Sequence, residues 1–204
     1  TNMYLKMTNV LDHSIAEVAV CSIKTEYSQA LLSTIRYKYE YDNTISSDFA
    51  LRLLSRAEMQ DIFISPMVGN KVFRRDFLTK NHITFPHQSL FEDDEFMFFA
   101  FYYARYVTLV PGVYQHYFQR EHSAMHSFTK NHIDSMLAVF CNIRERLIAE
   151  NLFGHYSETY YALLDRCLSS LMDTLFSCEQ SIARQQYYMT YLFECLLEAF
   201  TMQE

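Results

Sequence analysis

From His132 onward, apolar residues recur every three or four positions in three separate blocks. The first runs through Ile133, Met136, Leu137, Phe140 and Leu147, and the second through Tyr160, Leu163, Leu164, Cys167, Leu168, Leu171, Met172 and Leu175. The third holds Tyr187, Tyr188, Tyr191, Leu192, Cys195 and Leu196. Such spacing predicts three consecutive amphipathic helices, whose stripes must be buried against one another or against the preceding part. The expectation is a helical C-terminal subdomain over residues 131–204.

The first 130 residues read differently. Met3, Met7, Val10, Leu11 and Ile15 predict a helix over residues 2–15, and the alternation around Val18 and Val20 predicts a strand over 17–23. Residues 30–41 read as an irregular strand or a loop, and Ser46 or Ser47 as the cap of a short helix through Leu54. Residues 66–70 break the pattern, 71–73 read as a short strand, and 75–80 as one or two helical turns. A helix is expected over 91–105. Val107 to Val110, the pair Pro111-Gly112 and residues 113–118 suggest a hairpin. The fold class expected is α/β: a mixed sheet in residues 1–130, then the helical subdomain.

At 204 residues, half of them apolar, the chain can bury a substantial core. Its apolar runs stop short of the roughly 18 residues that a spanning helix needs, and no basic leader is seen, so a soluble cytoplasmic chain is expected. Five cysteines without a CxxC pair read as reduced core residues. A net charge of −7 argues against a nucleic-acid partner, which requires a clustered basic face. With only three glycines, Gly69, Gly112 and Gly154, neither a dinucleotide fingerprint nor a phosphate-cradling loop can be assembled. The 16 tyrosines and 17 phenylalanines supply flat surfaces that suit sugar rings, lipid interfaces and ordinary cores alike.

Chemistry concentrates at Phe91-Glu92-Asp93-Asp94-Glu95-Phe96, where four consecutive carboxylates meet the start of an aromatic helix. Amide groups of a first turn stabilise anions, so Glu92, Asp93 and Asp94 are candidate proton acceptors there. The commonest use of such a run is capping.

Its neighbours in the sequence add to the signal. The segments Gly69-Asn70-Lys71-Val72-Phe73-Arg74-Arg75-Asp76-Phe77-Leu78, then Phe85-Pro86, then the acidic run, then Val113-Tyr114-Gln115-His116-Tyr117-Phe118-Gln119-Arg120-Glu121-His122-Ser123 occur in an order and spacing that resembles bacterial family 2 glycosyltransferases. The resemblance covers about residues 1–130. It implies the nucleotide-sugar-binding GT-A fold, here as a partial mixed sheet, and transfer of a sugar with inversion from a nucleoside diphosphate sugar to a saccharide or glycolipid acceptor, as in surface polysaccharide synthesis. It also implies Asp93 as general base, with Asp94 as the competing assignment and Glu92 beside them. Arg120 would steady the diphosphate leaving group, with Asn70, Lys71 and Tyr117 as further substrate-binding candidates. Phe118 departs from the family pattern by standing where an arginine is common.

The resemblance begins just after the family's Asp-x-Asp motif, since Thr1-Asn2-Met3-Tyr4 is similar to the residues on the C-terminal side of that motif. The chain is therefore expected to be the acceptor-side part of a transferase, inactive alone, whose parent uses Mg or Mn held mainly by residues outside this chain.

Several features have plainer readings. Arg74 and Arg75 read as surface charges or partners of carboxylates. His122, His126 and His132 form a His-x3-His-x5-His series without a companion zinc motif, and read as loop residues or helix caps. Tyr187, Tyr188 and Tyr191 suit core packing, with peripheral contact at the inner face of a membrane as the alternative. A reading of another class is a non-catalytic helical interaction protein that forms homo-oligomers to cover exposed strand edges.

Overall fold

The computed structural model describes residues 2–29, 53–55, 67–87, 90–119, 127–179 and 181–201, with backbone alone for 53–55 and 201. Those residues form two compact units. A sheet unit comprises Thr1–Phe85 and Phe96–Arg120, and a helical unit comprises Pro86–Glu95 and Glu121–Glu204. The expected strand or loop at 30–41 lies outside the described residues.

In the sheet unit, helix α1 (Met3–Asp12) leads into strand β1 (Val18–Tyr27), as the apolar spacing predicts. Met3, Met7 and Leu11 make one buried stripe, which packs with Ala16, Ala19, Cys21 and Val110. Strand β2 (Leu53–Ser55), strand β3 (Lys71–Phe73) and strand β4 (Tyr106–Gln119) complete a four-stranded mixed sheet in the order β2-β4-β1-β3. β1 runs parallel to β4 and antiparallel to β3, and β2 is antiparallel to β4.

The helix expected through Leu54 is not seen at its end, because Leu53 pairs with Thr108 and Leu54 with Val107 in the ladder; the rest of that segment lies outside the described residues. Nor does β1 alternate. Its first six residues are all buried, since the strand lies inside the sheet with both faces covered.

Arg74 joins these elements. Its Nε donates to Ala16 O at 2.8 Å and its Nη2 to Ser14 O at 2.9 Å and to Leu11 O, so the guanidinium satisfies carbonyls at and beyond the end of α1. That overturns the reading of Arg74 as a partner of carboxylates, while Arg75 is exposed. Short helix α2 (Arg75–Lys80) comes directly after it.

The hairpin expected at 107–118 is absent. β4 is one strand of 14 residues, and both of its halves pair with β1 in the same direction. Cys21 faces Val110, yet Ser22 faces Val113 and Ile23 faces Gln115, so Pro111, Gly112 and Tyr114 are extra residues in a bulged stretch. The same chemistry that suits a turn suits this bulge: Pro111 lacks the donor that a ladder needs, and Gly112 takes φ 117°.

Helix α3 (Glu92–Tyr103) begins in the helical unit and ends in the sheet unit. Its residues from Phe96 to Tyr102 are all buried, so it presents no polar face there. Phe96 stacks on Phe85 at 4.1 Å between ring centroids and meets Phe73 edge-on at 5.2 Å.

The three C-terminal stripes become α4 (Lys130–Ala149), α5 (Phe153–Cys178) and α6 (Ile182–Thr201). Tyr160 of α5 is fully buried and donates its hydroxyl to Phe140 O of α4 at 3.2 Å. Tyr191 of α6 donates to Asp134 of α4 at 2.6 Å, and Tyr188 is buried edge-on against Phe128. His132 caps α4: its Nδ1 accepts the Thr129 N–H at 3.2 Å.

Gly112→Ala tests the bulge. A Cβ there would sit 2.9 Å from the Tyr114 ring, at a φ that side chains rarely adopt, and Tyr114 Oη in turn accepts from Lys6 Nζ at 2.8 Å. Urea unfolding of the variant is expected to show a loss of about 1–3 kcal/mol.

Candidate functional site

Phe91 opens α3 with φ 61°, a left-handed backbone that costs an L-residue roughly 1–2 kcal/mol. Its carbonyl accepts the Asp94 N–H at 3.1 Å, so the chain turns sharply into the helix and all four carboxylates fall in the first turn. There the helix dipole favours negative charge.

The four acids do not share one environment. Asp94 is buried, with its side chain 8% exposed; Cys167 Sγ donates to its Oδ1 at 3.6 Å and Arg166 Nη2 lies 3.6 Å from the same oxygen. Burial raises the Asp94 carboxyl to about 6, against the lowering pull of Arg166 and of the Cys167 hydrogen bond, while the charges of Asp93 and Glu92 push it further up. Burial also pushes the Cys167 thiol to about 12, with the Asp94 charge adding to it, so this cysteine is a donor and not a thiolate. Glu95 is half-buried, accepts from Asn142 Nδ2 of α4 at 3.1 Å, and is raised by burial against the lowering effects of Asn142 and Arg146. Asp93 and Glu92 are both more exposed than Asp94.

The remaining candidates lie in the sheet unit. Asn70 is 1% exposed: its Nδ2 donates to Cys21 O at 2.8 Å, and its own backbone carbonyl accepts from Cys21 N at 3.0 Å. Lys71 is also buried, and its Nζ donates to Asn70 Oδ1 at 2.8 Å and to Met67 O. The pair ties the turn before β3 to β1. Tyr117 is half-buried on β4, opposite Thr25, next to an exposed pair in which His116 Nδ1 is 2.9 Å from Glu26. Arg120, His122 and His126 lie outside the described residues.

Two residues that contact the acidic turn escape sequence reasoning, Arg166 and Asn142, as does Arg146, whose charge acts on Glu95. Cys167 was legible only as part of the second apolar stripe. The signal available for Arg166 and Asn142 was position alone, each lying beside a buried residue of a predicted helix (Cys167 and Ile143).

Among the described residues, no three His, Cys, Asp or Glu side chains are grouped to hold a metal. Asp94 and Glu95 are turned to α5 and α4 instead. No helix among the described residues is long and apolar enough to cross a membrane.

No family model matches the sequence. No curated protein matches it either. Among the solved structures that are similar to it are two crystal structures. That of S. aureus TarS 1-349 aligns with a TM-score of 0.56 and 13% identity, over 93% of this chain and 49% of that one. The chain thus spans about half the length of the solved protein, and shares its fold over that half. The second, S. aureus TarS 1-349 in complex with UDP-GlcNAc, aligns at 0.46 and 16% identity, over 87% of this chain and 54% of that one.

The Asp94 environment sets a pH dependence. The folded state holds the Asp94 proton more tightly than the unfolded chain does, so this residue favours folding below its ordinary value of 3.8. That contribution is lost as pH rises to about 6. Relative to an Asp94→Asn variant, the wild type is expected to lose on the order of 3 kcal/mol between about pH 4 and about pH 7. Urea titrations of both proteins across that range measure it.

Proposed function

We propose that this chain is the acceptor-side part of an inverting glycosyltransferase of the GT-A, family 2 kind, and that Asp93 is its general base. The observation that carries the reading is the division of labour in the first turn of α3. Asp94 and Glu95 are engaged by α5 and α4, whereas Asp93, beside them at the same helix start, is the more accessible aspartate. Supporting it, the chain shares a fold with half of a protein that has been crystallised with UDP-GlcNAc, a nucleoside diphosphate sugar.

In the proposed step Asp93 takes the proton of an acceptor hydroxyl as that oxygen attacks the anomeric carbon. The bond from that carbon to the diphosphate breaks, and the nucleoside diphosphate leaves with the electron pair. One carboxylate suffices for such a single displacement, and the anion-favouring first turn keeps it unprotonated between turnovers. Asp94 and Glu92 add negative charge around the base. By resemblance, Arg120 would steady the charge growing on the diphosphate and Tyr117 would bind substrate, while the buried Asn70 and Lys71 hold the turn before β3. Donor recognition and the Mg or Mn ion belong to a donor-side part of the parent. The acceptor is a saccharide or glycolipid.

A second reading has one observation in its favour. Ile182, Phe193 and Leu197 of α6 are 60–71% exposed and line a single groove with Phe176. An apolar face of that kind suits self-association, and a non-catalytic oligomer would bury it.

Asp93→Asn in a version of the chain joined to its donor-binding part is expected to lower transfer by about 100-fold or more, the usual worth of a placed base, without changing the circular dichroism spectrum. Undiminished turnover would exclude Asp93 as base. Concentration-dependent sedimentation of the 204-residue chain, together with no transfer by the joined protein, would put the oligomer reading first.

A further inference from the structure

Two different helices hold two successive acids of one helical turn. On α5, Arg166 Nη2 and Cys167 Sγ both lie 3.6 Å from Asp94 Oδ1. On α4, Asn142 Nδ2 donates to Glu95 Oε2 at 3.1 Å, with Arg146 also acting on Glu95. Cys167 and Asp94 are 73 residues apart in sequence, so these are tertiary contacts and not local capping.

The Arg166–Asp94 pair is lopsided. The arginine side chain is 41% exposed and keeps much of its hydration, while the aspartate is 8% exposed. The guanidinium therefore gives up little on pairing, yet its charge acts on a carboxylate from which water is largely excluded. The groups around Asp94 are Glu92, Asp93 and Glu95 on its own helix, Arg166 and Cys167 on α5, and Asn142 and Arg146 of α4 at the neighbouring Glu95. Among the described residues, Arg166 is the cation whose charge lowers Asp94.

We propose that Arg166 is a positioning residue for the acidic turn: its contact with Asp94 Oδ1 keeps that carboxylate charged and seated, and so fixes the orientation and proton affinity of the base carried one residue earlier. The role in catalysis rests on Asp93 being that base; the contact and its electrostatic effect do not. A charged Asp94 raises the proton affinity of its neighbour, as a base requires, and a neutral Asp94 does not.

The test has two arms. In the 204-residue chain, carboxyl-carbon NMR tracks the titration of Asp94 in the wild type, Arg166→Lys, Arg166→Met and Arg166→Gln. Loss of the cation in Arg166→Met or Arg166→Gln is expected to move the Asp94 midpoint up by about one to three pH units, and Arg166→Lys to restore it towards the wild-type position. Two neutral variants are used so that failure of one to fold still leaves a reading. A folded neutral variant whose Asp94 titrates where the wild type does would overturn the proposal.

In the chain joined to its donor-binding part, the neutral variants are expected to lose kcat/KM near pH 7, where the wild-type Asp94 is charged and theirs is not, and to match the wild type well below pH 6, where Asp94 is protonated in all of them. A purely structural role would lower the profile equally at every pH, and that result also overturns the proposal. If Asp94 shifts as expected while Asp93→Asn transfers normally, the base assignment fails and the electrostatic contact stands.

Discussion

The sheet unit depends on the parallel pairing of β1 with β4. Parallel neighbours cannot be joined by a tight turn, so the chain must leave one end of β1 and return to the other before β4 begins. Here that connection, residues 28–105, carries β2, β3, α2 and α3, and with them the acidic turn. β3 closes against the far side of β1 through Val18↔Phe73 and Val20↔Lys71, and the buried Asn70 ties the preceding turn to the same strand. The two strands stay in register over ten pairs only because the bulged stretch at Pro111 and Gly112 takes up the extra residues of β4.

Much of this was legible in residue spacing. The stripe of Met3, Met7 and Leu11 gave α1, and the three later stripes gave α4, α5 and α6, because a helix that buries one face must repeat its apolar residues with the helical period. The features that stayed hidden were of two kinds. Pro111-Gly112 signals a break in regular pairing, but whether the chain reverses or bulges is decided by which strand lies alongside, and β1 is about ninety residues earlier. The second kind is the fate of each acid. Asp93 and Asp94 are chemically identical neighbours in a helix whose later residues are apolar on every side, so no periodicity separates them. Only the position of Arg166 and Cys167, brought in by α5, does so.

That separation shows how a run of like charges can be tolerated at all. Four adjacent carboxylates repel one another, and the helix terminus offsets only part of the cost. The rest is handled by giving the acids different surroundings: Asp94 goes into a dry environment with an arginine and a thiol donor, and Glu95 receives an amide from Asn142. Burial makes Asp94 proton-avid near neutral pH, and Arg166 opposes that. The outcome is a residue near the balance point of its two charge states, beside another that keeps contact with solvent.

Under the proposed reading, such a balance gives the C-terminal helices a part in the chemistry beyond packing. If α5 only filled space, an aliphatic side chain at 166 would serve as well, and Asp94 would be better replaced by an apolar residue, since a buried ion pair is seldom worth its desolvation. The cost makes sense if the charge is needed where it is. A proton acceptor at a helix N-terminus is stabilised as an anion, which makes it a weaker base, and a second negative charge next to it restores the lost affinity. On this view the acidic turn joins two opposing fields, one from the α3 amides and one from Asp94, and Arg166 sets how strong the second one is.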